Sequence, residues 1–458
     1  MRRVAFATLL ACVGCASTSP EPAFKDVSQL VLQRSGQRVR WNQAGAEDAQ
    51  VARAVKDLLA RELTSDAAVQ VALLNNPRLL ATYEELSIGQ ADVVQAGLLK
   101  NPVFGARITA AERDALDPNL VFDVTQDFLG VLLLPARKKI AETQLEEVKL
   151  RVADQILDLA AEVRSALYTA VGAMQVLAMR RAVRDAALVA AELAKSQADV
   201  GNLSDLAQAT EQGLFEQVDL DAARSEGDVV AARERLTRLM GVWGPSAAFR
   251  IPERLPDLPA DEVSLTHLES AAVAQRLDLL AAKKEVEATG YALSLVQSSR
   301  WVGALDVGVE GARLRDGNVA VGPSASVELP IFDQRQAAIA RLEAQLRASE
   351  HRYAARAIDI RSAVRGARER VVLARSIVER FRTTLVPLRE RIVALAQQQY
   401  DAMLLGVYEL LLAKQNEVNA YREYIEATRD YWLARSDLER AVGGRLTATS
   451  TQKDGGAR

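Results

Sequence analysis

The chain has 458 residues with 57 basic and 60 acidic side chains, and its net charge of −3 offers nucleic acid no electrostatic footprint. Its two cysteines, Cys12 and Cys15, both fall in the first fifteen residues and it has only two histidines, which excludes a thiol enzyme, a thiolate metal site or a disulfide-stapled fold over the remainder. With 5% aromatic and 49% apolar residues the composition leans toward long helices and coiled coil, and neither a cofactor nor a metal is expected.

Residues 1–14 read as a lipoprotein signal peptide: Arg2 and Arg3, an apolar run from Val4 to Val13 too short for a membrane helix, then a small residue before a cysteine. The arrangement resembles the bacterial lipobox, whose cysteine becomes the acylated first residue. Leu9-Leu10-Ala11-Cys12 matches that pattern better in residue type, while Cys12-Val13-Gly14-Cys15 gives the more usual signal length. Cys15 is therefore the preferred lipidation site, with Cys12 the alternative. Residues 15–64 read as an N-terminal tether and periplasmic segment, flexible at Ser17-Thr18-Ser19-Pro20-Glu21-Pro22.

Beyond that point the chain reads as two copies of one unit, 65–241 and 265–443, joined by a linker at 242–264 and followed by a flexible tail at 444–458. Glu162-Val163-Arg164-Ser165-Ala166-Leu167 recurs roughly 200 residues later as Asp359-Ile360-Arg361-Ser362-Ala363-Val364, and Leu239-Met240-Gly241 recurs as Ala441-Val442-Gly443. Each unit opens with a helix, predicted over Asp66 to Leu99 and Leu265 to Ser298. A β-rich stretch leads to a very long helix, Ala136 to Val200 and Asp333 to Ala402, and a turn leads to a shorter return helix, Ser204 to Met240 and Tyr408 to Val442. Apolar residues step by 3 and 4 along both long helices, from Leu145 to Leu177 and from Ile339 through Val371 and Leu388 to Leu395, which predicts helices packed along their length. Pro387 interrupts the second and predicts a kink there.

The β-rich stretches alternate. Leu305, Val307, Val309 and Gly311 interleave with Asp306, Gly308, Glu310 and Ala312. After the turn signal Arg315-Asp316-Gly317-Asn318, Val319, Val321, Pro323, Ala325, Val327 and Leu329 interleave with small and polar residues. Strands are predicted over about 303–313 and 318–329, with less regular counterparts over about 103–110 and 119–128. Period-two strands of this length suit an outer-membrane barrel, apolar toward lipid and polar toward the lumen, with a hairpin packed on a soluble core as the lesser alternative of the same period. Four strands cannot close a membrane barrel, whose minimum is about eight, so three copies supplying twelve strands is the natural closure. Phe104, Phe122, Phe128, Trp301 and Phe332 fall near predicted strand ends, where interfacial aromatics would sit.

From about residue 65 to 443 the sequence resembles the outer-membrane efflux protein family typified by TolC. The carriers are Ala72 to Leu86 (ALLNNPRLLATYEEL), Ala91 to Phe104, Leu129 to Lys139 (LGVLLLPARKK), Val327 to Leu346 (VELPIFDQRQAAIARLEAQL), and the helix-tip segments Val200 to Ala209 and Met403 to Gln415. The resemblance implies a mainly α fold with a small β part. Tandem-repeat helical hairpins would form an α-barrel, and four amphipathic strands per chain would contribute to a trimeric twelve-stranded β-barrel. It further implies the exit duct of a tripartite efflux pump or a type I secretion-like system, passing small molecules or ions outward. The partners implied are two further copies of the chain, a periplasmic adaptor, an inner-membrane transporter and outer-membrane lipid.

In that family the hairpin tips meet the adaptor and constrict the closed pore. Local matching carries adaptor contact to Gly201, Leu203, Ser204, Leu405 and Gly406, with Gly406 displaced from the first tip's pattern and Tyr408 standing where a small hydroxyl residue is usual. The constriction candidates are Tyr400, Asp401, Glu409 and Asp205, whose carboxylates, repeated three times, would favour cations; each could equally be a solvated helix-end charge. Two other classes compete. A periplasmic adaptor lipoprotein should carry one hairpin rather than two, and a coiled-coil scaffold leaves the alternating strands unexplained. For an enzyme, His267 and His351 have no partner at a spacing suited to acid–base chemistry.

Overall fold

The structure is a computed structural model that describes residues 18–41, 48–109, 119–260, 267–313 and 317–446. Cys12, Cys15, the signal peptide, Arg315, Asp316 and the chain after Leu446 lie outside the described residues. Contacts divide the described residues into two units, 18–27, 82–152 and 277–356 in one and 28–81, 153–276 and 357–446 in the other.

In chain order the elements are α1 (Glu21–Ser35), α2 (Asp48–Leu59), α3 (Ser65–Asn75), α4 (Pro77–Gly97), β1 (Val103–Thr109), β2 (Asn119–Asp127), α5 (Phe128–Asp199) and α6 (Asp205–Met240). The second repeat follows as α7 (Leu268–Gln275), α8 (Leu277–Ser298), β3 (Leu305–Arg313), β4 (Val319–Val327), α9 (Gln336–Arg380), a π turn (Phe381–Leu385), α10 (Val386–Asp401) and α11 (Val407–Val442).

The first unit holds a four-stranded antiparallel sheet in the order β1-β2-β3-β4. Its strands are shorter than predicted, because Phe128 already begins α5 and the β3–β4 pairing ends in two separate bonds, Gly303 N to Glu328 O at 3.3 Å and Glu328 N to Ala304 O at 3.0 Å. α5 starts eight residues before the predicted Ala136. The reason is Asp127, whose carboxylate accepts from Gly130 N at 2.6 Å and caps the first turn, leaving Pro135 inside the helix. The beginning of α1 packs here too: the Phe24 ring meets buried Tyr83 edge-on at 5.2 Å, and Asp26 pairs with Lys149 at 2.8 Å. The stretch expected as a flexible tether is thus helical from Glu21 onward, and the segment 15–64 carries two helices.

The second unit shows the repeat in its hydrogen bonds. The single predicted helix Asp66 to Leu99 breaks at Asn76, where Pro77 removes an N–H and disfavours helical geometry in the residue before it. Asn76 Nδ2 donates to Leu239 O at 2.8 Å and Asn75 Nδ2 to Gly241 O at 2.7 Å, so the break holds the C-terminus of α6. The second repeat breaks likewise at Arg276, without a proline. Arg276 Nη1 donates to Ala441 O at 3.3 Å and Gln275 Nε2 to Val442 O at 3.4 Å, at the end of α11. Both return helices end in left-handed glycines, Gly241 at φ 67° and Gly443 at φ 90°. Beyond Gly443 the chain is still held: Arg445 N donates to Arg34 O at 2.9 Å and its guanidinium pairs with Asp66, so Gly444 and Arg445 are not part of a free tail as expected.

The seam predicted along α5 is buried at Ile156, Val163, Leu167, Ala170 and Leu177. Along α9 it is buried at Ile360, Val364, Ala367, Val371 and Val378, and then shifts. Leu388 and Leu395, predicted in the seam, are each 49% exposed, while Val386 and Ala396 are buried. The cause is the π turn, in which Val386 N reaches back five residues to Phe381 O; one extra residue per turn rotates everything beyond it. The interruption predicted at Pro387 takes this form, with the proline in the first turn of α10. The linker is strapped down by bonds from Gln175 Oε1, which accepts from Leu255 N at 3.1 Å, and from Trp432 Nε1, which donates to Pro256 O at 2.9 Å.

Candidate functional site

The strand registers sort side chains onto two faces. Phe104 lies opposite Val124, Val124 opposite Val309 and Val309 opposite Pro323; Phe122 lies opposite Gly311, itself opposite Val321. This face is apolar except for Gln126 and Arg313 at its ends, and none of the described residues covers it. Phe104 is 66% exposed, Ile108 71%, Val309 55% and Val321 70%, and Phe104 stacks on Phe122 at 6.2 Å. A water-soluble sheet covers its apolar face, and this one leaves it bare.

The opposite face carries Arg107, Asp123, Thr125, Asp127, Asp306, Glu310, Ser324 and Ser326. Here Asp123 lies directly opposite Glu310 and Asp127 directly opposite Asp306. Like charges so placed repel, which a hydrated surface tolerates and a packed core does not. Lys100, at 2.8 Å from Asp127, offsets one pair. Gly105 makes room for the Asp123 carboxylate, which would stand 2.2 Å from a Cβ there. The outer edges of β1 and β4 have no partner strand among the described residues.

The two helix turns lie in the second unit. In the first, Gly201 is left-handed at φ 75°, Gly201 N donates to Ala198 O at 2.9 Å and Asn202 N to Gln197 O at 2.8 Å. Ser204 then caps α6, its hydroxyl accepting from Ala207 N at 3.3 Å, with Asp205 in the first turn and Leu203 half-buried. In the second, Met403 takes the left-handed place at φ 58°, Met403 N donating to Tyr400 O at 2.9 Å and Leu404 N to Gln399 O at 2.8 Å. Gly406 caps α11 with no side-chain bond. The local matching is therefore corrected. The counterpart of Gly201 is Met403, and Gly406 is not a displaced glycine but stands at the cap where the first tip has Ser204.

Of the constriction candidates, Tyr400, Asp401 and Glu409 come together at this second turn, and Asp205 belongs to the first. Asp401 Oδ1 accepts from Gln397 Nε2 at 2.9 Å. Glu409, three residues into α11 from its cap, folds back so that Oε2 lies 2.6 Å from where a Gly406 Cβ would stand, the reach of a capping-box carboxylate. Both tips also expose apolar side chains that sequence reasoning passed over: Val200 at 70%, Leu206 at 78%, Met403 at 93% and Leu404 at 79%. Aligning the turns residue by residue would have pointed to Met403. Among the described residues no group of three His, Cys, Asp or Glu is placed to hold a metal ion, and no helix is long and apolar enough to cross a membrane.

The sequence profile of the family described as outer membrane efflux protein matches residues 268–444, the second repeat. The cobalt-zinc-cadmium resistance protein CzcC of Cupriavidus metallidurans is 22% identical over 386 residues, which span 83% of this chain and 90% of that protein. Among solved structures, the CmeC outer membrane channel of Campylobacter jejuni superposes with a TM-score of 0.72 at 13% identity, covering 89% of each chain. The outer membrane protein VceC of Vibrio cholerae gives 0.67 at 15% identity, over 87% of this chain and 97% of that one. The sequence match to this family thus lies in the second repeat, and the fold shared with solved outer membrane channels extends over nearly the whole chain.

Proposed function

We propose that the chain is the outer-membrane exit duct of a tripartite efflux pump, three copies forming one channel that passes small molecules or ions from periplasm to exterior. The observation that carries this is the sheet, with a bare apolar face, a charged opposite face and two unpaired edges. Backbone groups exposed to hydrocarbon must be paired, and edges of neighbouring copies would pair them. The profile match over the second repeat and the fold shared with solved channels support the same reading, and CzcC, named for cobalt, zinc and cadmium resistance, supports metal ions among the cargo. The test is electrophoresis of membrane-extracted protein with and without heating, together with planar-bilayer recording. A heat-sensitive trimer that conducts is expected, and a soluble monomer without conductance would overturn the reading.

The finer assignments are part of the proposal. The exposed tips, at Gly201, Leu203, Ser204, Leu405 and Gly406, meet a periplasmic adaptor that links the duct to an inner-membrane transporter. Tyr400, Asp401, Glu409 and Asp205 line the periplasmic constriction. Replacing Asp401 and Glu409 together by alanine is expected to raise conductance or weaken closure; unchanged gating removes both from the constriction. Cys15 carries the lipid anchor, and acyl labelling that persists in Cys15→Ser but vanishes in Cys12→Ser would move it to Cys12.

A further inference from the structure

The four helix–strand junctions all lie at one end of the sheet, because the strands run antiparallel in chain order. They are tied in pairs. Lys100 meets Asp127 while Gln126 Nε2 donates to Lys100 O at 2.9 Å, and Arg335 donates to Ser299 Oγ at 2.5 Å and Gly303 O at 3.4 Å. Around these ties stands a collar of exposed apolar side chains, continuous with the bare sheet face: Leu99, Leu132, Trp301, Leu329, Ile331 and, at 92%, Phe332.

Basic residues border the collar on its helical side. Arg137 donates to Gly130 O at 2.9 Å, Lys139 lies 5.9 Å from the Tyr291 ring centroid, and the Arg300 guanidinium sits over Trp301 at 4.1 Å. With Arg335 they make four cations, none of them in a salt bridge among the described residues, and only Arg137 has a carboxylate, that of Asp127, acting on its charge. Neutral contacts position these side chains, and the charges of Lys139, Arg300 and Arg335 have no paired carboxylate among the described residues. Arg137 and Lys139 lie on the order of 15 Å along α5 from its start, at 1.5 Å per residue, a depth from which their stems reach the edge of an apolar layer at Leu132.

A band of exposed aromatic and aliphatic side chains bordered by cations, three of them without a paired carboxylate, is complementary to a bilayer interface whose headgroups carry net negative charge. We infer that the collar binds acidic phospholipid of the periplasm-facing leaflet. The phosphate oxygens accept from Arg137, Lys139, Arg300 and Arg335, and the acyl chains lie against Leu132, Trp301, Ile331 and Phe332. The inference rests on the outer-membrane channel reading and adds to it a lipid class and the residues that select it.

The test uses the full-length protein reconstituted from mild detergent into phosphatidylcholine vesicles with and without phosphatidylglycerol, followed by native mass spectrometry of the retained lipid. Preferential retention of phosphatidylglycerol is expected, falling roughly fivefold for each charge removed in the double variant Lys139→Gln, Arg300→Gln. Equal retention of the two lipids by the unaltered protein, or undiminished phosphatidylglycerol on the variant, would overturn it. Should the variant fail to assemble, the unaltered protein decides the matter in high salt, where a charge-based preference must shrink and one that does not move with salt refutes the inference. Failure of the unaltered protein to insert and conduct strikes the channel reading instead, and bilayer recording reads that separately.

Discussion

The turn between α5 and α6 and the turn between α10 and α11 close by the same hydrogen bonds, a left-handed residue after the first helix and a cap before the second. The first places Gly201 and Ser204 in those roles, and the second places Met403 and Gly406. A side chain in the left-handed region costs roughly 1–2 kcal/mol, and a glycine cap supplies no acceptor for the helix's free N–H groups. The second hairpin also contains the π turn, which has no equivalent among the helices of the first. The two copies of the unit therefore close with different local strain, and the second is the more strained. That second copy carries most of the proposed constriction.

The largest expected difference between the halves lies in an ion pair. Arg164 Nη1 meets Glu439 at 2.9 Å with both side chains mostly buried, whereas its repeat counterpart Arg361 is exposed. Arg164→Met should destabilise the protein by about 3 kcal/mol, because it removes the first partner of a buried carboxylate and leaves only the weaker pull of Arg435 and Arg445, and Arg361→Met should stay within about 0.5 kcal/mol. Burial already holds the Glu439 carboxyl above its ordinary value, with Arg164 pulling the other way. A folded state that keeps its proton more tightly loses stability as pH rises above the unfolded value. The Arg164→Met deficit should accordingly be smallest in mild acid and deepen toward neutrality, as followed by thermal melting. A deficit independent of pH would mean that the charge is not what is lost.

The two glycine caps offer a second contrast. A Cβ on Gly241 would stand 2.7 Å from Asn75 O and 2.8 Å from Asn76 Cα, backbone that cannot yield, while one on Gly443 would meet Arg276 Cγ at 3.2 Å. Both alanine variants carry the left-handed penalty. Gly241→Ala should cost about 1 kcal/mol or more beyond Gly443→Ala in the same melting experiment, since only in the first must backbone move. Equal losses would show that the junction between α3 and α6 is as pliable as that between α7 and α11.

Much of this architecture is legible in the sequence because periods of 3.6 and 2 are local. The seam from Ile156 to Leu177 and the strand faces from Leu305 to Val327 follow from side-chain pattern alone. What stays hidden depends on partners distant in sequence. Arg276 ends α7 without a proline because it reaches Ala441 O, and nothing around residue 276 shows that. Asp127 starts α5 early through a single carboxylate, so Pro135 misleads as a helix start. α1 hides behind a coil-like Ser-Pro stretch, although Ala23, Val27 and Val31 recur every fourth residue and are buried. The seam shift after Phe381 comes from one additional residue in one turn, and a heptad count carried through it points Leu388 and Leu395 the wrong way. At the tips, matching to an expected family pattern obscured the simpler match of one repeat to the other.

That internal match yields the two smallest effects. Met403→Gly should stabilise the second turn by about 1 kcal/mol and Gly201→Met should weaken the first by a similar amount. Amide hydrogen exchange of α10 and α11 should slow in the former, and that of α5 and α6 near the turn should quicken in the latter. The cap exchange is subtler. Ser204→Gly should cost only a few tenths of a kcal/mol, and Gly406→Ser should return no more than that, because its Cβ must first displace the Glu409 carboxylate that now folds over the site. A Gly406→Ser gain of a full 1 kcal/mol would mean that Glu409 contributes nothing to capping α11 and is free to face the pore. A loss would mean that the carboxylate is the cap, and its place in the constriction would then be doubtful on structural grounds. The exchange rates of the first α11 amides therefore decide between the two roles of one side chain, and with them how far the second tip differs from the first.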